Sequence, residues 1–360
     1  MDKFLKNFCL FCLPILGIAI FTIYCTVTFP KDGQGDLGRF GYVYFDEDYN
    51  RSLRSFAATD TSKIKNIQSL DEVDADSSIL TVGDSFSQMG DEGYQAFLQD
   101  LYPGYTIFNF VGKDVSIERF QWAVDILKDT TVKLPEIIII ESVERSLSHR
   151  LYDIVVSSDG VGENAVRRLE PKNDSEQPEM NNGSVADSNN NPSCLGEAKK
   201  VLANTQEYIR KKLNIENPVK RVGLNDSFFT CKGHENELVY YKFDLRKMSP
   251  TKAPVCQQKM DSILSLASKR DIRFLFVVAS DKFHLYNEFT VNNSKRNAVS
   301  QLSYFEKVYD SPMFLNTRLI LSEHLKNREK DIYKSNDTHW SAKASKYVAE
   351  EIKKKLESQK

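Results

Sequence analysis

The sequence predicts an α/β protein: a three-layer α/β/α domain built on a parallel sheet, preceded by one transmembrane helix. Three observations carry this expectation. Strand-like and helix-like patterns alternate from Ile79 onward, the order that winds a parallel sheet between helices. The run Ile137-Ile138-Ile139-Ile140 is continuously β-branched, as suits a strand buried on both faces. From Phe8 to Phe29 there is no charged residue, and about 20 apolar residues suffice for a helix to cross the hydrocarbon core.

Residues 1–7 form a short end, and Lys3 and Lys6 place it in the cytoplasm by the positive-inside tendency. The apolar run at 8–29 is longer than the core of a cleavable signal peptide and closes on Thr26-Val27-Thr28-Phe29, so it reads as an uncleaved signal anchor. The globular part is then expected outside the cytoplasmic membrane, on the periplasmic or cell-surface side. Residues 30–78 are polar and read as a stalk and lead-in with no chemistry assigned. The domain proper is expected over 79–356. Its first strand is Ile79–Val82. A helix follows with Tyr94, Phe97, Leu98 and Leu101 on one face, then a strand over Tyr105–Phe110 and a helix marked by Ile117, Phe120, Val124 and Leu127. After the third strand at Ile137–Ile140 comes a stretch, 157–193, rich in Asn, Ser, Asp, Glu, Gly and Pro, which reads as a disordered surface insertion. A helix is expected over 197–213 and strand-like residues at Leu238–Tyr241. The core resumes with a helix carrying Met260, Ile263, Leu264 and Ala267, a strand over Phe274–Val278, and a final helix with Ala344, Tyr347, Val348, Ile352 and Leu356.

The chain has 360 residues, and its charges nearly cancel to a formal net charge of -2, which implies no nucleic-acid partner. Cys9, Cys12 and Cys25 lie in the apolar run. Cys194, Cys231 and Cys256 remain for an oxidising compartment, with Cys231 and Cys256 the expected pair. None of Cys194, Cys231 and Cys256 has CxxC spacing and the five histidines show no HExxH, so neither a metal nor a cofactor is expected.

Two motifs carry chemistry. Gly83-Asp84-Ser85 follows the first strand, where a sharp turn would project the serine hydroxyl into the crevice above the sheet. The competing reading is a turn with an N-capping serine. Near the C-terminus, Asp337-Thr338-His339-Trp340 puts a carboxylate and an imidazole on one loop. A serine is a poor nucleophile until a base takes its proton, and a histidine serves when a carboxylate fixes its tautomer. Asp337 would hold the Nδ1 side of His339 while Nε2 faces Ser85.

These two motifs resemble the SGNH (GDSL-type) hydrolase superfamily, in particular its branch resembling alginate O-acetyltransferases, whose histidine loop often reads Asp-Thr-His-Trp. Glu141-Ser142-Val143-Glu144-Arg145 and Ala279-Ser280-Asp281-Lys282 with Tyr286 are compatible with that branch. The resemblance implies a flavodoxin-like α/β/α fold and acyl transfer through a serine ester, with an oxyanion held by the backbone NH groups of Ser85 and Gly112. The chain departs from the pattern twice. Glu141–Arg145 stands where the superfamily has Gly-x-Asn-Asp, so the asparagine donor is missing. The serine also precedes the Asp-x-His motif, as in ordinary SGNH esterases, whereas the alginate enzymes have the reverse order. For Arg145 the choices are electrostatic replacement of that donor or an ion pair with Glu141.

The function expected is O-acetyl transfer to an extracytoplasmic polysaccharide through a serine acyl-enzyme, with the acyl group supplied by a membrane-bound donor protein. The alternatives are a carbohydrate or lipid esterase of the same fold and a non-catalytic polysaccharide-binding or assembly protein. Trp340, Tyr333 and Tyr286 are candidate platforms for sugar rings, and Arg145 and Lys282 are candidate substrate or oxyanion contacts.

Overall fold

The computed structural model describes residues 8, 10–17, 20, 36–39, 47–74, 76–112, 116–156, 218–291 and 299–359. In chain order the strands are β1 (Ile64–Ile67), β2 (Ser78–Val82), β3 (Thr106–Phe110), β4 (Ile137–Val143), β5 (Val219–Gly223), β6 (Glu237–Tyr241), β7 (Arg273–Ala279) and β8 (Phe314–Asn316). The helices are α1 (Asp36–Arg39), α2 (Glu47–Arg54), α3 (Tyr94–Leu101), α4 (Ser116–Lys128), α5 (Glu144–Asp153), α6 (Ala253–Ser268), α7 (Lys282–Tyr286), α8 (Thr317–Lys326) and α9 (Ala342–Glu357).

Six strands form one sheet in the order β1-β3-β2-β4-β7-β8, and every neighbouring pair is parallel. β5 and β6 make a separate antiparallel pair. The pleat sends alternate side chains to opposite faces. Ile79, Ile137, Ile139, Leu275 and Val277 join one cluster with residues of α2, α3, α8 and α9. Leu80, Val82, Ile138, Ile140, Phe274, Phe276 and Val278 join the other, with residues of α4, α5 and α6. Both faces are therefore buried, which explains the unbroken apolar runs.

The chain order has one reversal that matters for function. β3 pairs with one edge of β2, and β4, the next strand, pairs with its other edge. The connections to β3 and β4 thus leave on opposite sides of β2. A crevice opens at its carboxyl end, the usual ligand position in open parallel sheets. Gly83-Asp84-Ser85 begins there.

Several expectations need correction. Part of the segment read as stalk belongs to the domain, because β1 pairs with β3 and Tyr49 and Leu53 of α2 enter the core. β8, only three residues long, carries no readable period and was not anticipated. Two 3₁₀ turns, Ser85–Gln88 and Gly90–Glu92, stand between β2 and α3. The Cys231–Cys256 disulfide is not formed: both residues are buried, and they belong to the clusters on opposite faces of the sheet. The expected insertion at 157–193 and helix at 197–213 lie outside the described residues. Among the described residues no helix is long and apolar enough to cross a membrane; of the predicted span only residues 8, 10–17 and 20 are described, and they are helical.

The loop after β3 is closely packed. A Cβ at Gly112 would lie 2.6 Å from the Gln68 carbonyl oxygen and 2.9 Å from its Cα, both backbone atoms. Gly112→Ala should therefore cost about 1–3 kcal/mol, read as a lowered denaturation midpoint at unchanged m-value; an unshifted midpoint would show that the loop is free to move.

Candidate active site

The turn after β2 is set by its aspartate. Asp84 caps the first 3₁₀ turn by accepting from the Phe86 NH at 3.2 Å. Its other oxygen accepts from the Val143 NH at 2.9 Å and from Arg150 Nη1 at 2.6 Å. The Asp84 NH donates to Glu141 Oε2 at 3.0 Å, and that oxygen also accepts from Ser87 Oγ at 3.0 Å. A residue larger than glycine cannot precede this arrangement, because a Cβ on Gly83 would lie 2.2 Å from Ser87 Oγ and 2.5 Å from Glu141 Oε2. Asp84 thus performs the capping that a bland reading gives to Ser85. The Ser85 hydroxyl makes no hydrogen bond among the described residues and stays partly exposed.

Two buried carboxyls share this corner and divide the charge. Burial pushes Asp84 up, but Arg150 and the donors from Glu141 and Val143 outweigh it, and its pKa falls from 3.8 to about 2. Burial and the neighbouring Asp84 charge push Glu141 well above the carboxylate range. The two carboxyls are thus driven apart, Asp84 toward the charged form beside Arg150 and Glu141 toward the neutral one.

The histidine loop folds on itself. Tyr333 and Trp340 face each other as an antiparallel bridge, Lys334 NH donates to the His339 carbonyl at 3.2 Å, and Ser341 caps α9 by accepting from the Ala344 NH. Inside the turn lies the Lys282 ammonium, donating to the carbonyls of Lys334 (2.7 Å), Ser335 (2.8 Å) and Asp337 (3.1 Å). Tyr49 completes the cradle: its hydroxyl accepts from the Ser335 NH at 2.9 Å and donates to Asp331 Oδ1 at 3.1 Å. Asp331 has φ +58°, a left-handed conformation that aspartate tolerates.

Asp337 Oδ1 accepts from the His339 NH at 3.1 Å and lies 2.8 Å from His339 Nδ1, as a base-orienting carboxylate should. This fixes the tautomer with the proton on Nδ1 and leaves Nε2 as the basic nitrogen. Nε2 is buried and has no hydrogen-bond partner among the described residues. Burial lowers the affinity of this imidazole for a proton, but the Asp337 and Asp36 carboxylates outweigh it, so its pKa is raised above 6.5. Asp337 moves the other way: His339 and Lys334 outweigh its burial and hold it far below the carboxylate range.

Two contacts bring the serine turn and the histidine loop together. The Phe86 ring, next in sequence to Ser85, packs against the rings of His339 (centroids 4.8 Å apart) and Trp340 (4.5 Å). Glu92, at the end of the second 3₁₀ turn, forms an ion pair with Lys334. Among the described residues no hydrogen bond joins Ser85 Oγ to His339 Nε2, so the expected serine–histidine bond is not made in this structure.

The remaining candidates fall elsewhere. Trp340, Tyr333 and Tyr286 are fully buried and present no face to a sugar ring; the Tyr333 hydroxyl donates to the Ser280 carbonyl, and Tyr286 accepts from the Tyr333 NH at 3.3 Å. Lys282 is likewise fully enclosed, and burial lowers its pKa from 10.5 to about 7. It is a staple of the loop rather than a substrate contact. Arg145 pairs with Asp281 at 2.8 Å and Asp244 at 3.5 Å. Of the two roles weighed for Arg145, the ion pair with Glu141 is not made among the described residues, because Glu141 belongs to β4 and faces Asp84. Gly112 sits at the carboxyl end of β3, the strand beside β2.

Two groups bring cation-ligand atoms within 4.8 Å of one another. In one, Asp36, Asp337 and His339, the carboxylates already bond Thr338 and the histidine and act as a hydrogen-bonded relay. In the other, Glu144 accepts from Ser300 and lies 3.0 Å from His284 Nδ1, while Asp281 pairs with Arg145. That group reads as an interior charge network.

Sequence reasoning named Glu141 only within a family-compatible stretch and as a partner for Arg145, not as a partner of Asp84, and it missed Arg150, Asp36 and Tyr49. A lone carboxylate closing the Ile137–Ile140 run was a usable signal for Glu141. Asp36 and Tyr49 meet the loop only through the fold, with no local pattern to mark them. No family model matches this chain, and neither a curated protein nor a solved structure gives a significant match.

Arg150→Ala leaves the Asp84 charge buried and unpaired, and should cost about 3–5 kcal/mol. Glu141→Gln keeps a neutral group and should stay within about 1 kcal/mol of the parent; urea unfolding at neutral pH distinguishes them, and equal losses would contradict the division of charge. Because the folded Asp84 pKa is depressed from 3.8 to about 2, its contribution is complete above about pH 4 and is lost as the pH falls through about 2. In Asp84→Asn that acid-limb loss should be smaller.

Proposed function

We propose that this chain is a membrane-anchored SGNH-type acyltransferase that moves acetyl groups to hydroxyls of a polysaccharide outside the cytoplasm. One observation supports the reading above the others: Asp84 does the capping and leaves Ser85 uncommitted, while Asp337 holds His339 by Nδ1 and leaves Nε2 uncommitted, with Phe86 joining the two. In the proposed reaction Ser85 Oγ attacks the acyl carbonyl as its proton passes to Nε2. The NH groups of Ser85 and Gly112 hold the oxyanion, and the imidazolium returns the proton to the leaving group. A sugar hydroxyl then gives its proton to Nε2 and attacks the serine ester, and the imidazolium passes that proton to Ser85 Oγ as the acyl–oxygen bond breaks, which restores the free enzyme. Water in place of the sugar makes the same site an esterase. The run from Phe8 to Phe29 supplies the anchor in this reading, and a membrane-bound protein supplies the acyl group.

The test is an acyl-enzyme. Full-length protein in detergent, treated with an activated acetyl ester, should show one acetyl adduct by intact mass. The adduct should vanish in Ser85→Ala, and turnover should fall about a thousandfold or more in Ser85→Ala and His339→Gln. No adduct and no ester cleavage would turn the assignment toward a binding or assembly protein. Added oligosaccharides should then become acetylated; release as free acetate alone would identify an esterase. His339 must be neutral to accept the serine proton, and its pKa is raised above 6.5. kcat/KM should therefore rise with pH through an apparent pKa above that value, and a limb below it would contradict the assigned base.

A further inference from the structure

The segment that leads into the domain reaches the histidine. Asp36, the first residue of α1, is 4% exposed. Its Oδ2 accepts from Thr338 Oγ1 at 3.0 Å and lies 3.3 Å from His339 Nδ1. The same nitrogen is 2.8 Å from Asp337 Oδ1. One ring nitrogen thus faces two buried carboxylates that lie 301 positions apart in the chain (337 − 36). The shorter contact takes the Nδ1 proton; the second carboxylate acts through its charge and through its grip on Thr338. The other groups near the ring are the Phe86 face and the ammonium of Lys334, which is paired to Glu92.

We propose that Asp36 is a positioning residue of His339: it holds Thr338 in place, flanks Nδ1 together with Asp337, and so stabilises the imidazolium that forms when Nε2 takes a proton. The catalytic part of this inference rests on His339 being the base of the proposed reaction; the electrostatic part does not. A chain without Asp36 keeps the Asp337–His339 bond but loses half of the negative charge facing Nδ1. The arrangement has a chemical consequence. A doubly flanked imidazole is a stronger base once neutral, and it is neutral over a narrower range of pH.

The experiment uses the full chain in detergent micelles with histidines labelled at Cε1, the His339 signal being assigned by its loss in His339→Gln. In Asp36→Asn the His339 titration should move down by about one unit. Asp36→Glu, which restores a carboxylate, should recover most of that shift. Thr338→Val, which keeps the charge but removes its tether, should give a smaller one. The acid limb of kcat/KM should move with the titration in each variant, and KM should stay within twofold. An unchanged His339 titration in Asp36→Asn, with Asp36→Glu equally unchanged, overturns the proposal. A shifted titration in a protein that forms no acyl adduct leaves the Asp36–His339 coupling standing and removes the acyltransferase reading instead.

Discussion

Asp84 is the residue on which the candidate site depends. Its carboxylate caps the 3₁₀ turn, bonds the backbone of β4 and pairs with Arg150 of α5, and its NH rests on Glu141. A charged group so deep in a sheet crevice is tolerable only when partners meet it on all sides. Those partners fix the path of the chain as it leaves β2. The serine next to it inherits a defined backbone without having to spend its own hydroxyl on structure.

The histidine loop solves the corresponding problem with a cation. Its turn points the carbonyls of Lys334, Ser335 and Asp337 inward, and the Lys282 ammonium meets all three. The Lys282 ammonium lies over the Phe229 ring, and the rings of Tyr333 and Phe86 pack against Trp340. The aromatic residues of the loop therefore exclude water from the imidazole and its carboxylates, which strengthens the charge interactions there. Rigidity on the loop side and rigidity on the serine side come from different chemistry, and the Phe86 ring and the Glu92–Lys334 pair are where the two halves register against each other.

Most of this architecture could be read in the chain because it is local. The β-branched run of β4, the apolar stretch of β2 and the helical spacing of α6 and α9 each reflect burial of one segment against a continuous layer. The pairing of Asp337 with His339 is local too, two residues apart on one loop. What escaped reading is what only the fold brings together: Asp36 and Tyr49 against the loop, Arg150 under Asp84, and the three residues of β8. Residue type also misled. Tryptophan and tyrosine beside a histidine suggested a sugar platform, and lysine a substrate contact, yet all are core, since burial depends on neighbours that sequence position does not show. Arg145 went to Asp281 for the same reason, because β4 runs on through Val143 and turns Glu141 toward Asp84.

The docking of Asp36 into the histidine loop also sets a distance. Asp36 lies seven residues beyond Phe29 (36 − 29), and a fully extended chain covers at most about 3.6 Å per residue. With the run from Phe8 to Phe29 in the bilayer, as we propose, Asp36 is leashed to within roughly 25 Å of the membrane surface, and the imidazole lies one side chain beyond it. Chains ending near the headgroups would meet the site in preference to those far out in solution.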